Sequence, residues 1–101
     1  VSEPMRLYNR DIAAFASPKA TYDCVKAFAY TDFREDLKAF DVPTLVIHGD
    51  SDQVVPFEAS GQRSNTMIAD SQLHIVKGGP HGINVTHKDE FNDVLIGFLN
   101  S

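Results

Sequence analysis

The stretch Thr44-Leu-Val-Ile-His-Gly-Asp-Ser-Asp52 decides the reading of this chain. Thr44 to His48 is a short β-branched and apolar run without polar alternation, which is the pattern of a parallel strand buried on both faces. The run stops at Gly49 and enters an Asp/Ser turn that carries two carboxylates, Asp50 and Asp52. Gln72 to Lys77 is the next strand, with Leu73 and Ile75 on one face and His74 and Val76 on the other. It also ends in a glycine-bearing loop, Gly78-Gly-Pro-His-Gly82, which sets His81 29 positions after Asp52. Two strands separated by a helix imply a right-handed parallel crossover.

Helices are expected around these strands. Pro56 stands where a helix can begin, so the segment from Phe57 to about Ala69 is expected to be helical. Thr86 to Leu99 closes the chain as its clearest helix, because Phe91, Val94, Leu95, Phe98 and Leu99 fall on one apolar stripe. Ahead of Asp41 the character is all-helical. Ser2 and Pro4 start a helix in which Met5, Tyr8, Ile12 and Phe15 keep helical spacing. Ser17 caps a second helix with Pro18 in its first position, running to about Tyr30 and holding Tyr22, Val25, Phe28 and Ala29. Asp32 with Glu35 resembles a capping box for a short helix ending near Ala39. This aromatic-rich segment is expected to pack over something. The organisation is thus an α/β chain in two parts: residues 1–40, a helical segment and link, and residues 41–101, a strand-helix-strand-helix part.

Composition excludes several function classes. A chain of 101 residues is one domain at most, and its apolar fraction of 43% with 23% charged residues is ordinary for a globular protein. A net charge of −5, without any basic cluster, argues against a nucleic-acid or anionic-membrane partner. No apolar run approaches the ~18 residues that span a bilayer. The single cysteine, Cys24, forms no internal disulfide, and its place in a helical apolar pattern marks it as a core residue. The expected location is cytoplasmic, although the chain opens on Val1 and so carries no information on an upstream leader.

The chemistry lies at the strand ends. In open parallel α/β sheets, ligands bind beyond the carboxyl ends of the strands. Both Asp-bearing and His-bearing loops open toward that edge. A general base needs one ring nitrogen free for a proton and a carboxylate on the other to fix the tautomer, and adjacent strand-end loops deliver that pair. Asp52 as acid and His81 as base are the candidate catalytic residues. Asp50 is the rival carboxylate, read instead as bonding the backbone of its own turn. No serine has glycine two residues before and two after it, so the Gly-x-Ser-x-Gly nucleophile turn is not in this chain. The residues fit the C-terminal part of a serine hydrolase.

Other constellations carry less. His48, Asp50, Asp52, His74, His81 and His87 match no helical His-x-x-x-His or zinc-finger spacing. A calcium loop starting at Asp50 fails, with Val55 in its sixth position and Gly61 in its twelfth. The run Gly78 to Gly82 is interrupted by proline and is no dinucleotide loop. His74 and His87 are read as structural or solvent-facing, and Met5 and Met67 as packing residues.

The string Asp41-Val-Pro-Thr-Leu-Val-Ile-His-Gly-Asp-Ser-Asp-Gln-Val-Val-Pro-Phe-Glu-Ala-Ser-Gly61, with Gly79-Pro-His-Gly-Ile-Asn-Val-Thr-His-Lys88, resembles the C-terminal portion of cofactor-free, non-haem chloroperoxidases and bromoperoxidases. Ala16 to Val25 and Tyr30 to Leu37 resemble that family's helical cap and the link from cap to sheet. The resemblance implies an α/β-hydrolase fold with an incomplete sheet, and it maps the family's catalytic acid onto Asp52 and its histidine onto His81. It further implies a serine esterase/perhydrolase acting on a small ester or carboxylic acid with water or hydrogen peroxide, and needing no metal, haem or flavin. The expected partner of the chain is the missing N-terminal half, or else a second copy through self-association. The alternative is a non-catalytic α/β module that binds a small molecule or partner on its exposed helices.

Overall fold

The computed structural model describes residues 1–101 as two compact units, Val1–Asp32 and Phe33–Ser101. The first holds two helices, α1 (Glu3–Ala14) and α2 (Pro18–Tyr30). Each starts as the sequence dictates. Ser2 Oγ accepts the Met5 N–H and Ser17 Oγ accepts the Ala20 N–H, both at 3.4 Å, and a proline occupies the first turn of each helix. Such a cap stabilises a helix by about 1 kcal/mol. Neither helix has a buried residue. Cys24 is exposed, contrary to the expectation of a core position, and Met5 is 43% exposed rather than packed. Two helices alone have no third layer to enclose their apolar stripes. Phe15, Phe28 and Tyr30 stay open for the same reason.

The second unit begins with α3 (Arg34–Lys38), whose cap position falls on Phe33 without a side-chain cap bond, not on Asp32. Strand β1 (Thr44–Gly49) then pairs in parallel with β2 (Ser71–Val76), from Thr44↔Ser71 to Gly49↔Val76. Because paired residues share a face, Ile47 and His74 lie on one side and His48 and Ile75 on the other. Helix α6 (Lys88–Leu99) covers the first side, where Glu90 bonds His74 at 2.8 Å. Helix α4 (Gly61–Met67) meets the second through Gly61, which lies against the ring of His48. The strands are only half-buried, however, and the fully enclosed core is Ile68, Val76 and Ile83. A two-stranded sheet leaves one edge of each strand unflanked, so the burial expected on both faces is partial.

One expected helix is broken. The segment after Pro56 is a 3₁₀ turn, Phe57–Ala59, followed by α4, with Ser60 between them at φ −134° and ψ −80°. The break brings Gly61 so close to His48 that a Cβ at position 61 would lie 2.6 Å from Nδ1. The closing helix is found as α6, within two residues of its expected start, and a short helix, α5 (Ile83–Thr86), precedes it, with His87 between them non-helical at φ −126° and ψ 41°. No helix of the chain is long and apolar enough to cross a membrane.

Candidate active site

Asp52 and His81 both lie just past the strand ends, and backbone contacts fix the distance between their loops. The last strand pair is Gly49↔Val76. Beyond it, Asp50 N–H donates to the Val76 carbonyl at 3.2 Å and Ser51 N–H donates to the Gly79 carbonyl at 3.1 Å. Gly49 makes this approach possible, since a Cβ there would lie 2.0 Å from the Gly79 carbonyl oxygen.

The carboxylate of Asp52 is bonded on both oxygens. Oδ1 accepts the N–H groups of Val54 and Val55, each at 2.9 Å. Oδ2 lies 2.8 Å from His81 Nδ1 and 3.4 Å from His48 Nε2. The side chain is 5% exposed. Burial pushes the Asp52 pKa up, but the Val55 N–H, the His81 ring bond, the Val54 N–H and the charge of His81 outweigh it and lower the pKa from 3.8 to about 2. Asp52 is therefore a carboxylate at neutral pH, and an acceptor on Nδ1 makes that nitrogen the protonated one in the neutral ring. The other nitrogen of His81, Nε2, has no bond within the chain, and the side chain is 56% exposed. Its lone pair is free to take a proton. Ile47, Ile83, Asn84 and Phe91 join His48, Asp52 and His81 around an open hollow of about 360 Å³.

Asp50 is placed differently from the expectation. Its Oδ1 accepts the Gly78 N–H at 2.7 Å, across the gap between loops, and the Ser51 hydroxyl at 3.2 Å. It is Asp52 that bonds its own turn. Asp50 instead braces the loop that carries His81, at a glycine held in the left-handed conformation with φ 69°. The remaining histidines stand apart from the pair: His74 bonds Glu90, and His87 Nδ1 lies 2.9 Å from Thr86 Oγ1. No group of three or more His, Cys, Asp or Glu side chains has the arrangement of a metal site. The sequence pattern did not single out His48 as a neighbour of Asp52, nor Asn84 and Phe91 as lining; the one available signal for His48 was its place at the strand end, four residues before the carboxylate.

Residues 6–87 match the serine aminopeptidase S33 family. The chain belongs to that hydrolase family. Its fold is part of an α/β-hydrolase fold: a bromoperoxidase from Bacillus anthracis superposes over 100% of the chain with a TM-score of 0.97 and 58% identity, and the chain covers 37% of that structure. A putative non-heme chloroperoxidase of Synechocystis sp. is 52% identical over 89 residues, 88% of this chain and 32% of that protein. A bifunctional esterase/perhydrolase of Acinetobacter calcoaceticus is 42% identical over 101 residues, 100% of this chain and 37% of that protein. The resemblance to non-haem chloroperoxidases and bromoperoxidases carried by the sequence motifs is thereby borne out. The chain spans about a third of the length of the curated relatives it matches.

Proposed function

We propose that this chain supplies the acid, Asp52, and the base, His81, of a Ser-His-Asp triad in an esterase/perhydrolase of the non-haem haloperoxidase type. The serine and the oxyanion-hole donors come from sequence outside these residues. The observation that carries the reading is the 2.8 Å bond from His81 Nδ1 to Asp52 Oδ2, which leaves Nε2 unbonded at the open hollow. The names of the relatives support the reaction class.

In this reading His81 Nε2 takes the hydroxyl proton as the serine oxygen attacks the carbonyl of a small ester, and then gives that proton to the departing alcohol. Asp52 holds the Nδ1–H tautomer and stabilises the imidazolium that forms. Water then attacks the acyl-serine and yields the acid, or hydrogen peroxide attacks and yields a peracid, with His81 accepting the nucleophile's proton and returning it to the serine oxygen. Starting instead from a carboxylic acid, the same acyl-serine forms with loss of water. The peracid oxidises halide in solution. No step calls on a metal or organic cofactor.

The test uses the full-length protein that contains this chain. His81→Ala is expected to lower kcat for aryl acetate hydrolysis by several powers of ten and to remove peroxide-dependent halogenation in parallel. Halogenation that survives the loss of His81 would refute the acyl-enzyme route. The 101-residue chain alone is expected to give no turnover above background.

A further inference from the structure

His48 is the residue of this site with no part in the proton transfers, yet it is among the most tightly held. Its side chain is 14% exposed, its ring stands 5.6 Å from that of Phe57, and Gly61 lies against its Nδ1 edge. Both neighbours of Nε2 are acceptors: the Val55 carbonyl at 3.0 Å and Asp52 Oδ2 at 3.4 Å. That nitrogen must carry the proton. We propose that His48 is a positioning residue for the Asp52 carboxylate, its Nε2–H bonding the Val55 carbonyl and facing Oδ2 so that the turn from Asp52 to Val55 is locked with Oδ2 toward His81.

The geometry closes a small ring of contacts. Val55 donates its N–H to Asp52 Oδ1 and accepts at its carbonyl from His48, so one residue is gripped at both ends. A carboxylate offers about four lone-pair directions. Three donors bond it, Val54 and Val55 N–H at Oδ1 and His81 at Oδ2, while His48 Nε2, its proton given to the Val55 carbonyl, stands 3.4 Å from Oδ2. Removing His48 leaves Val55's carbonyl without its donor, so the Asp52–Val55 turn that presents Oδ2 to His81 loses one of its ties. The glycine at position 61 acquires a reason as well, since a side chain there would displace the His48 ring.

The inference rests on the reading of Asp52 and His81 as acid and base, and its test separates the two. His48→Gln retains an N–H near the place of Nε2, whereas His48→Met keeps the length without a donor; His48→Phe replaces His48→Met should the latter not fold. In full-length protein labelled with ¹⁵N-histidine, the His81 ring nitrogens are assigned by comparison with His81→Gln. At a pH where the ring is neutral, wild type and His48→Gln are expected to show His81 with its proton on Nδ1. His48→Met should show a mixture of tautomers. In ester hydrolysis, His48→Met should lower kcat on the order of 10- to 100-fold with KM nearly unmoved, the signature of a misplaced group rather than weaker binding, and His48→Gln should restore most of it.

An unchanged tautomer and kcat in His48→Met would overturn the inference. So would a loss in His48→Gln equal to that in His48→Met, because the ring and not its N–H would then matter. The tautomer measurement needs no turnover. A wild-type protein without esterase activity but with a tautomer that responds to His48 would refute the proposed function and leave this inference standing, and an active enzyme with an unresponsive tautomer would do the reverse.

Discussion

Gly49→Ala tests whether the approach of the two strand ends sets the site. The added Cβ would sit 2.0 Å from the Gly79 carbonyl oxygen and 2.5 Å from its carbon. An ordinary carbon–oxygen contact is about 3.3 Å, so the loops must part by roughly 1.3 Å. Both colliding atoms are backbone, and no side chain can swing aside. A displacement of that size carries the Ser51 N–H beyond bonding distance of the Gly79 oxygen, at which it now stands 3.1 Å away. Overpacking costs about 1–3 kcal/mol and the lost bond about 1 kcal/mol, together roughly 2–4 kcal/mol. In a full-length protein of ordinary hydrolase size this lowers Tm by roughly 4–16 °C. The same displacement lengthens the 2.8 Å bond between His81 and Asp52, and a shift of about 1 Å at a catalytic pair costs on the order of 100-fold in kcat. Thermal melting and initial rates of ester hydrolysis read the two effects. A variant with wild-type Tm and kcat would show that the loops are not fixed by this contact.

Three further substitutions or conditions separate the roles of the carboxylates. Asp52→Asn should lower kcat by about 10⁴, because an amide NH₂ facing His81 turns the ring to the wrong tautomer, while its oxygen still accepts from Val54 and Val55; a loss below about tenfold would contradict the assignment. Asp50→Asn should cost about 1 kcal/mol in urea unfolding and spare kcat, since the amide oxygen can still accept from Gly78 N–H; loss of activity at full stability would make Asp50 the acid instead. The Asp52 pKa is depressed in the folded state, from 3.8 to about 2, so the stability it contributes is present above pH 3.8 and is lost as the pH falls toward 2. Acid unfolding followed by circular dichroism should accordingly show a shallower decline over that interval in Asp52→Asn than in wild type, and identical curves would refute the linkage.

Strand positions and the meeting of Asp52 with His81 were legible because both follow from local pattern: an apolar β-branched run, a glycine at its end, and a parallel pair whose loops share one edge. What was not legible depends on distances across the chain. The break at Ser60 lies within a segment whose local composition is compatible with helix, and just beyond it Gly61 packs on His48. The partner of Asp50 is a backbone N–H 28 residues away, which no turn propensity encodes. His48 reaches Asp52 only because the turn after β1 folds back on the strand. Cys24 shows the converse failure: an apolar periodicity identifies a face that can be buried, and the two helices of its unit do not enclose it.

The strand pair ending in Gly49 and Val76 also bears on inheritance. Asp52, His81 and the groups that orient them, His48, Val54 and Val55, all fall within Phe33–Ser101. A genetic crossover upstream of Phe33 transfers them as one block with their mutual spacing intact, whereas a crossover between Asp52 and His81 joins loops that were never selected to meet. Recombinants made between relatives should therefore keep the His–Asp geometry in the first case, whatever happens to the helices ahead of the junction.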